Sequence, residues 1–198
     1  SWKANPQAIR AGTPRDDLVS LIDVSATSLA LAGIPIPDTM EGKNLFTENF
    51  VPRNYVVGSR DRMDWTIDHI RTVRTDRSRY MPERPYLQPQ YRDTHAFMME
   101  MKKLYKAGEL NDIQSQFFAP TKPAEEFYDH ANDPLEIHNL IEDLNYSEAI
   151  RTHRDILDNW IHETDDQGQY PETASALKAI YERWGENCVN PEYDAVKN

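Results

Sequence analysis

A single cysteine, Cys188, in 198 residues rules out an internal disulfide and any cysteine-rich metal centre. No apolar run is long enough to span a bilayer, so no membrane partner is expected. Ser1 opens a polar stretch without the apolar core of a signal peptide, and none is expected there. Positive charge is scarce: 22 Lys and Arg stand against 33 Asp and Glu, a formal charge of −11. That balance argues against nucleic acid, whose phosphates need a basic footprint. It disfavours anionic sugars as a whole-surface partner too, so any anion site must be local. The six histidines, at 69, 95, 130, 138, 153 and 162, show neither H-x-x-x-H nor H-x-x-E-H spacing. There is no G-x-S-x-G elbow, no phosphate-binding loop and no G-x-G-x-x-G. No cluster of acidic and amide side chains offers the oxygen ligands of a hard cation. Taken alone, the chain is expected to hold no cofactor and no metal and to catalyse nothing.

What is present suits one domain with a core, or a small domain with an appendage: 39% hydrophobic residues with a mean hydropathy of −0.76. Asp16 and Asp17 offer an N-cap for a helix on which Leu18, Leu21, Ile22, Ser25, Leu29 and Ala32 share a face, closed by Gly33. Tyr55 to Gly58 reads as a short strand. Residues 81–91, with Pro82, Pro85 and Pro89, read as a rigid loop. A helix from about Asp93 to Ala107 puts Phe97, Met98, Met101, Leu104 and Tyr105 on a face expected to be core. Glu125 to His130 reads as a strand, and Asn132-Asp133-Pro134 as a turn. Asn145 with Glu148 resembles a capping box, opening a helix whose stripe includes Ile150, His153, Leu157 and Ile161. His153 on that stripe reads as a satisfied core histidine. A last helix over Thr173 to Trp184 precedes a tail expected to be poorly ordered.

The most arginine-rich stretch is Gly58 to Tyr80, GSRDRMDWTIDHIRTVRTDRSRY. Trp65, Ile67, His69, Arg71 and Val73 alternate onto one side of an extended chain, with Thr66, Asp68, Ile70, Thr72 and Arg74 on the other. Thr75-Asp76 suits a tight turn, after which Arg77, Arg79 and Met81 run back along the strand. Arg60, Asp61, Arg62 and Asp64 place alternating charges on a loop just before the strand. Guanidinium groups there could grip a planar anion through paired hydrogen bonds. A solvated, salt-bridged edge strand accounts for the same residues.

RDRMDWTIDHIRTVRTDRSRYM, then Pro85-Tyr86, then EEFYDHANDPLEIHNL, resembles in order and spacing the C-terminal part of type I sulfatases, most of all the heparan N-sulfatase (sulfamidase) branch. The resemblance runs from about Asp17 to Glu172. It departs from the family at Ala26, where a proline is usual, and at Ser78, where an aromatic residue or lysine is usual. It implies an α+β fold, with a small antiparallel sheet of about four strands packed against a long C-terminal helix. Residues 1–50 would close the large catalytic domain, residues 51–172 would form the smaller subdomain, and residues 173–198 a helix and tail. The family's formylglycine motif, C/S-x-P-x-R, is absent, since Asn190 stands where Cys188 would need proline. The nucleophile and calcium implied for the whole enzyme would therefore lie on an N-terminal catalytic domain, the expected partner. Arg60, Asp61, Arg62, Asp64 and His69 are then candidates for a rim that binds a sulfated sugar. Export to the periplasm, cell exterior or lysosome is what the family implies. Two other readings stay open: a stand-alone carbohydrate-binding module, and part of a related phosphonate or phosphate-ester hydrolase.

Overall fold

The computed structural model describes residues 12, 14–82 and 95–197. The chain divides into two compact units, Ser1–Val56 with Arg74–Asp76, and Val57–Val73 with Arg77–Asn198.

The first unit is built on helix α1 (Leu21–Leu31). Its start is set by Ser20, whose N–H donates to the Asp23 carboxylate at 2.8 Å, and not by Asp16 or Asp17. The face turned inward is also not the expected apolar one. Asp23, Ala26 and Thr27 are its buried residues, while Leu21 is 88% exposed. The physical reason is a buried charge that must be matched. Asp23 accepts two bonds from Arg53, at 2.9 and 2.6 Å, and one from the Lys43 amide at 2.8 Å. Thr27 accepts from the Leu45 amide at 3.0 Å, so residues 42–45 lie along the polar side. A Cβ at Gly42 would overlap the Ile22 carbonyl, which only glycine avoids. The Arg53 guanidinium holds the Asp23 carboxyl well below its ordinary range.

The second unit carries a four-stranded sheet in the order β1 (Val56–Met63), β2 (Thr66–Arg74), β3 (Ser78–Pro82) and β4 (Glu125–Asp129). The β1–β2 connection is a two-residue turn at Asp64-Trp65, with Asp64 in the left-handed region at φ 50°. β3 and β4 run antiparallel, with Tyr80 opposite Phe127 and Ser78 opposite Asp129. Helix α2 (Ala96–Ala107) and the short α3 (Asp112–Ser115) lie between these two strands in sequence. The methionine and aromatic stripe of α2 is not core: no residue of the helix is buried, and Phe97 and Tyr105 are exposed. Tyr105 stacks instead on Phe118, ring centroids 5.0 Å apart. The expected helix start at Asp93 and loop residues 83–91 lie outside the described residues.

After β4 the chain makes a tight, fully bonded corner. Buried Asp129 accepts from Arg77 at 2.8 Å, the Tyr146 hydroxyl at 3.1 Å, the Asn132 side chain at 2.9 Å and the Ala131 amide at 3.1 Å. Asp133 accepts from the Ile137 and His138 amides at 2.7 and 2.8 Å. Helix α4 (Ser147–Thr164) follows a 3₁₀ turn over Leu144–Tyr146, which Asp143, not Asn145, caps by accepting from the Asn145 amide. Ile150, His153 and Leu157 are its buried face. His153 Nδ1 donates to the Ala149 carbonyl at 2.8 Å, leaving Nε2 to pair with the Ser78 hydroxyl at 3.2 Å. Its ring meets Phe127 edge-on, 5.3 Å between centroids. This histidine is satisfied core, as its stripe implies.

Helix α5 (Ala174–Trp184) is capped by Thr173. The tail beyond it is ordered, against expectation. Tyr193 and Cys188 are buried with Ile67 and Leu177, and Trp65, Ile180 and Trp184 pack around them. The Asn190 side chain pairs with the backbone of Ile67 in both directions, at 3.1 Å each way. Tyr193 donates to the Trp65 carbonyl at 2.9 Å. A strand end that would otherwise show bare peptide groups is thereby completed by side chains from the tail.

Candidate functional site

Arg60, Asp61 and Arg62 sit within β1, not on the loop expected just before the Trp65–Val73 strand. A strand sends successive side chains to opposite faces, and the five candidate residues are accordingly shared among three groups. Arg60 pairs with Asp68, a buried carboxylate on β2 that Lys122 also holds, at 2.8 Å. Arg62 and Asp64 lie together at the hairpin end: Arg62 donates to the Asp64 carbonyl at 2.7 Å and to the Glu172 carboxylate at 2.9 Å. Asp61 and His69 meet in the third group, with His69 Nδ1 3.7 Å from Asp61 Oδ1.

The centre of that third group is Arg71. Its Nη1 stands 2.7 Å from Asp61 Oδ1. Its Nε and Nη2 donate to the two oxygens of Asp166, at 2.7 and 3.0 Å, the paired geometry that a guanidinium makes with a carboxylate. A further bond runs to the Ile70 carbonyl at 2.9 Å. Asp166 also accepts from the Gly168 amide at 3.2 Å, and Arg71 lowers its carboxyl below the ordinary value. A Cβ on Gly168 would collide with the guanidinium and with Asp61, so the chain passes here only as glycine. His69, Arg71, Asp166, Gly168 and Gln169 form the polar wall of a cleft of about 220 Å³, with Pro82, Leu157 and Ile161 on its apolar side.

Alternation along β2 in the sequence puts His69 and Arg71 on one face, but Asp166 and Gly168 carry no local mark of their role. Asp165-Asp166-Gln167-Gly168 reads only as a helix end until the chain is seen to return to β2. Lys122 and Glu172 are likewise invisible before the fold brings them to β2 and the hairpin. Near β4, the phenol of Tyr80 is pushed up to about 12 by burial and by its bond to Glu125. Arg154 grips the same glutamate at 2.8 and 2.6 Å. That group braces α4 against the sheet and offers no reactive atom.

Among the described residues no three His, Cys, Asp or Glu side chains come together as metal ligands. Burial pushes the Cys188 thiol up, the opposite of what a nucleophile needs.

No family model matches the chain. In sequence it is 32% identical over 192 residues to an ulvan-active sulfatase of Formosa agariphila, a match covering 94% of this chain and 32% of that protein. In fold it matches a solved 2-O GAG sulfatase with a TM-score of 0.53 at 22% identity, covering 81% of this chain and 28% of that one. What the two share is the α+β fold with its four-stranded antiparallel sheet. The chain spans about a third of the length of the relative it matches in sequence.

Proposed function

We propose that this chain is the C-terminal portion of a sulfatase acting on sulfated polysaccharide sugars, and that it supplies part of the substrate rim. The observation that carries this reading is the 32% identity to an ulvan-active sulfatase, which runs through 94% of the chain. The first unit would close the catalytic domain and the second would be the smaller subdomain. Formylglycine and calcium, with the chemistry of sulfate cleavage they supply, would reside on the rest of the polypeptide. In this reading Arg60, Asp61, Arg62, Asp64 and His69 bear on recognition and not on sulfate cleavage. Arg62, a third exposed and steadied by Glu172, is the residue best placed to offer a guanidinium to a sugar carboxylate or sulfate. Like its relatives' class, the whole enzyme would be exported. No helix among the described residues is long and apolar enough to cross a membrane.

The test uses the full-length polypeptide with two substrates. Arg62→Ala should lower kcat/KM on a sulfated oligosaccharide by about tenfold to a hundredfold, the worth of one charge-assisted contact, and leave a minimal aryl sulfate unaffected. Equal loss on both would sink the rim and point to a disturbed sheet. The resemblance to the sulfamidase branch suggests an N-sulfate as the group removed. The fold neighbour named as a 2-O GAG sulfatase points instead to an O-sulfate ester, and that is the preference we adopt. Paired assays on N-sulfo and 2-O-sulfo disaccharides decide it: turnover of the N-sulfo sugar alone would overturn the ester preference.

A further inference from the structure

We propose that Arg71, Asp166 and Gly168 are positioning residues that fix the edge strand β1 by referring it to helix α4. β1 lies at the end of the sheet order, so its backbone ladder is made on the β2 side. Its sequence, VVGSRDRM, is poor in packing groups, and none of its residues is buried. Such a strand frays unless something besides the ladder holds it. Beside the Arg60–Asp68 and Arg62–Glu172 pairs, the tether that reaches α4 is Asp61, 2.7 Å from Arg71 Nη1. Arg71 passes the constraint on through its two bonds to Asp166, at the turn that ends α4. That helix is itself anchored by buried Ile150, His153 and Leu157. Arg71 and Asp166 are nearly buried, with side chains 9% and 13% exposed, so water screens their pairing little. Only a guanidinium can reach two carboxylates and a carbonyl at once; an ammonium has the charge without the fork. Gly168 keeps the turn against the guanidinium, where any side chain would push it away. The strand so fixed carries Arg60 and Arg62, and any consequence for substrate rests on the rim reading above.

The experiment is amide hydrogen exchange on this chain and on three variants, Asp166→Asn, Gly168→Ala and Arg71→Lys. Exchange across residues 59–63 should accelerate by about tenfold or more in each, the equivalent of one lost charge-assisted bond. Protection in α4 and in the β3–β4 pair should stay as it was. Unchanged exchange in β1 overturns the proposal, and so does acceleration spread evenly over the second unit, which marks general destabilisation. Should Gly168→Ala fail to fold, the isosteric Asp166→Asn decides. Kinetics of the same variants in the full-length polypeptide separate this proposal from the rim. A looser β1 with a raised KM for sulfated oligosaccharide and unchanged aryl sulfate turnover supports both. A looser β1 with unchanged KM on either substrate upholds the tether and overturns the rim.

Discussion

At the scale of single residues, Asp129 shows how a buried charge holds the subdomain's corner. Its carboxyl is lowered to about 2, first by the Arg77 guanidinium and then by Tyr146, Ala131 and Asn132, against the upward push of burial. A folded pKa depressed below the unfolded value of 3.8 gives stability that is fully present above that value. It is lost as pH falls toward 2, when the folded carboxyl takes up its proton. Asp129→Asn should therefore cost about 3 kcal/mol at neutral pH, leaving buried donors without an ionised acceptor. It should also flatten the acid limb of stability between about pH 4 and 2. Urea unfolding followed by tryptophan fluorescence, at neutral pH and over that range, measures both effects, and an unchanged acid limb would assign it to other carboxylates.

At the scale of elements, the tail past α5 is part of the core and not an appendage. Tyr193 is fully buried against Ile67 and Leu177, and its hydroxyl and Asn190 supply hydrogen bonds to the start of β2. Tyr193→Ala should cost about 3–5 kcal/mol, as other large aromatic truncations do. The loss should be felt first as deprotection of the amides near Ile67. Exchange confined to residues beyond Trp184 would instead make the tail an independent piece. Helix α2 is the contrary case: a moderately amphipathic helix whose hydrophobic residues stay partly or wholly in solvent, so amphipathicity alone did not place it in the core.

For the molecule as a whole, the exposed apolar side of α1 has the largest consequence. Leu21, Ile22 and Val24 stand open on α1, with Val19 and Ile34 open just beyond its two ends, and Asp23 and Thr27 are among the residues it buries. Exposed apolar side chains gathered on one helix favour association in water. Sedimentation of this chain should show self-association rising with concentration, and Leu21→Glu with Val24→Glu should abolish it. A monomer at every concentration, with α1 amides protected, would count against that expectation.

The sequence by itself determined β2, β3, β4, the start of β1 and the stripe of α4, because these follow from local periodicity and turn chemistry, and the α+β class followed from the family resemblance. His69 with Arg71, and the corner at Asn132-Asp133-Pro134, were legible for the same reason. Tertiary structure alone decided which face of α1 turns inward, since the partner that neutralises Asp23 is Arg53, 30 residues away. It also decided that Arg60, Asp61 and Arg62 extend a strand and pair into three separate groups. Their partners Asp68, Arg71 and Glu172 come from elsewhere in the fold, and Glu172 is 110 positions from Arg62. The Arg71 hub belongs wholly to the fold, because Asp166 meets it across 95 positions of chain, with Gly168 just beyond, and no local pattern can span that distance.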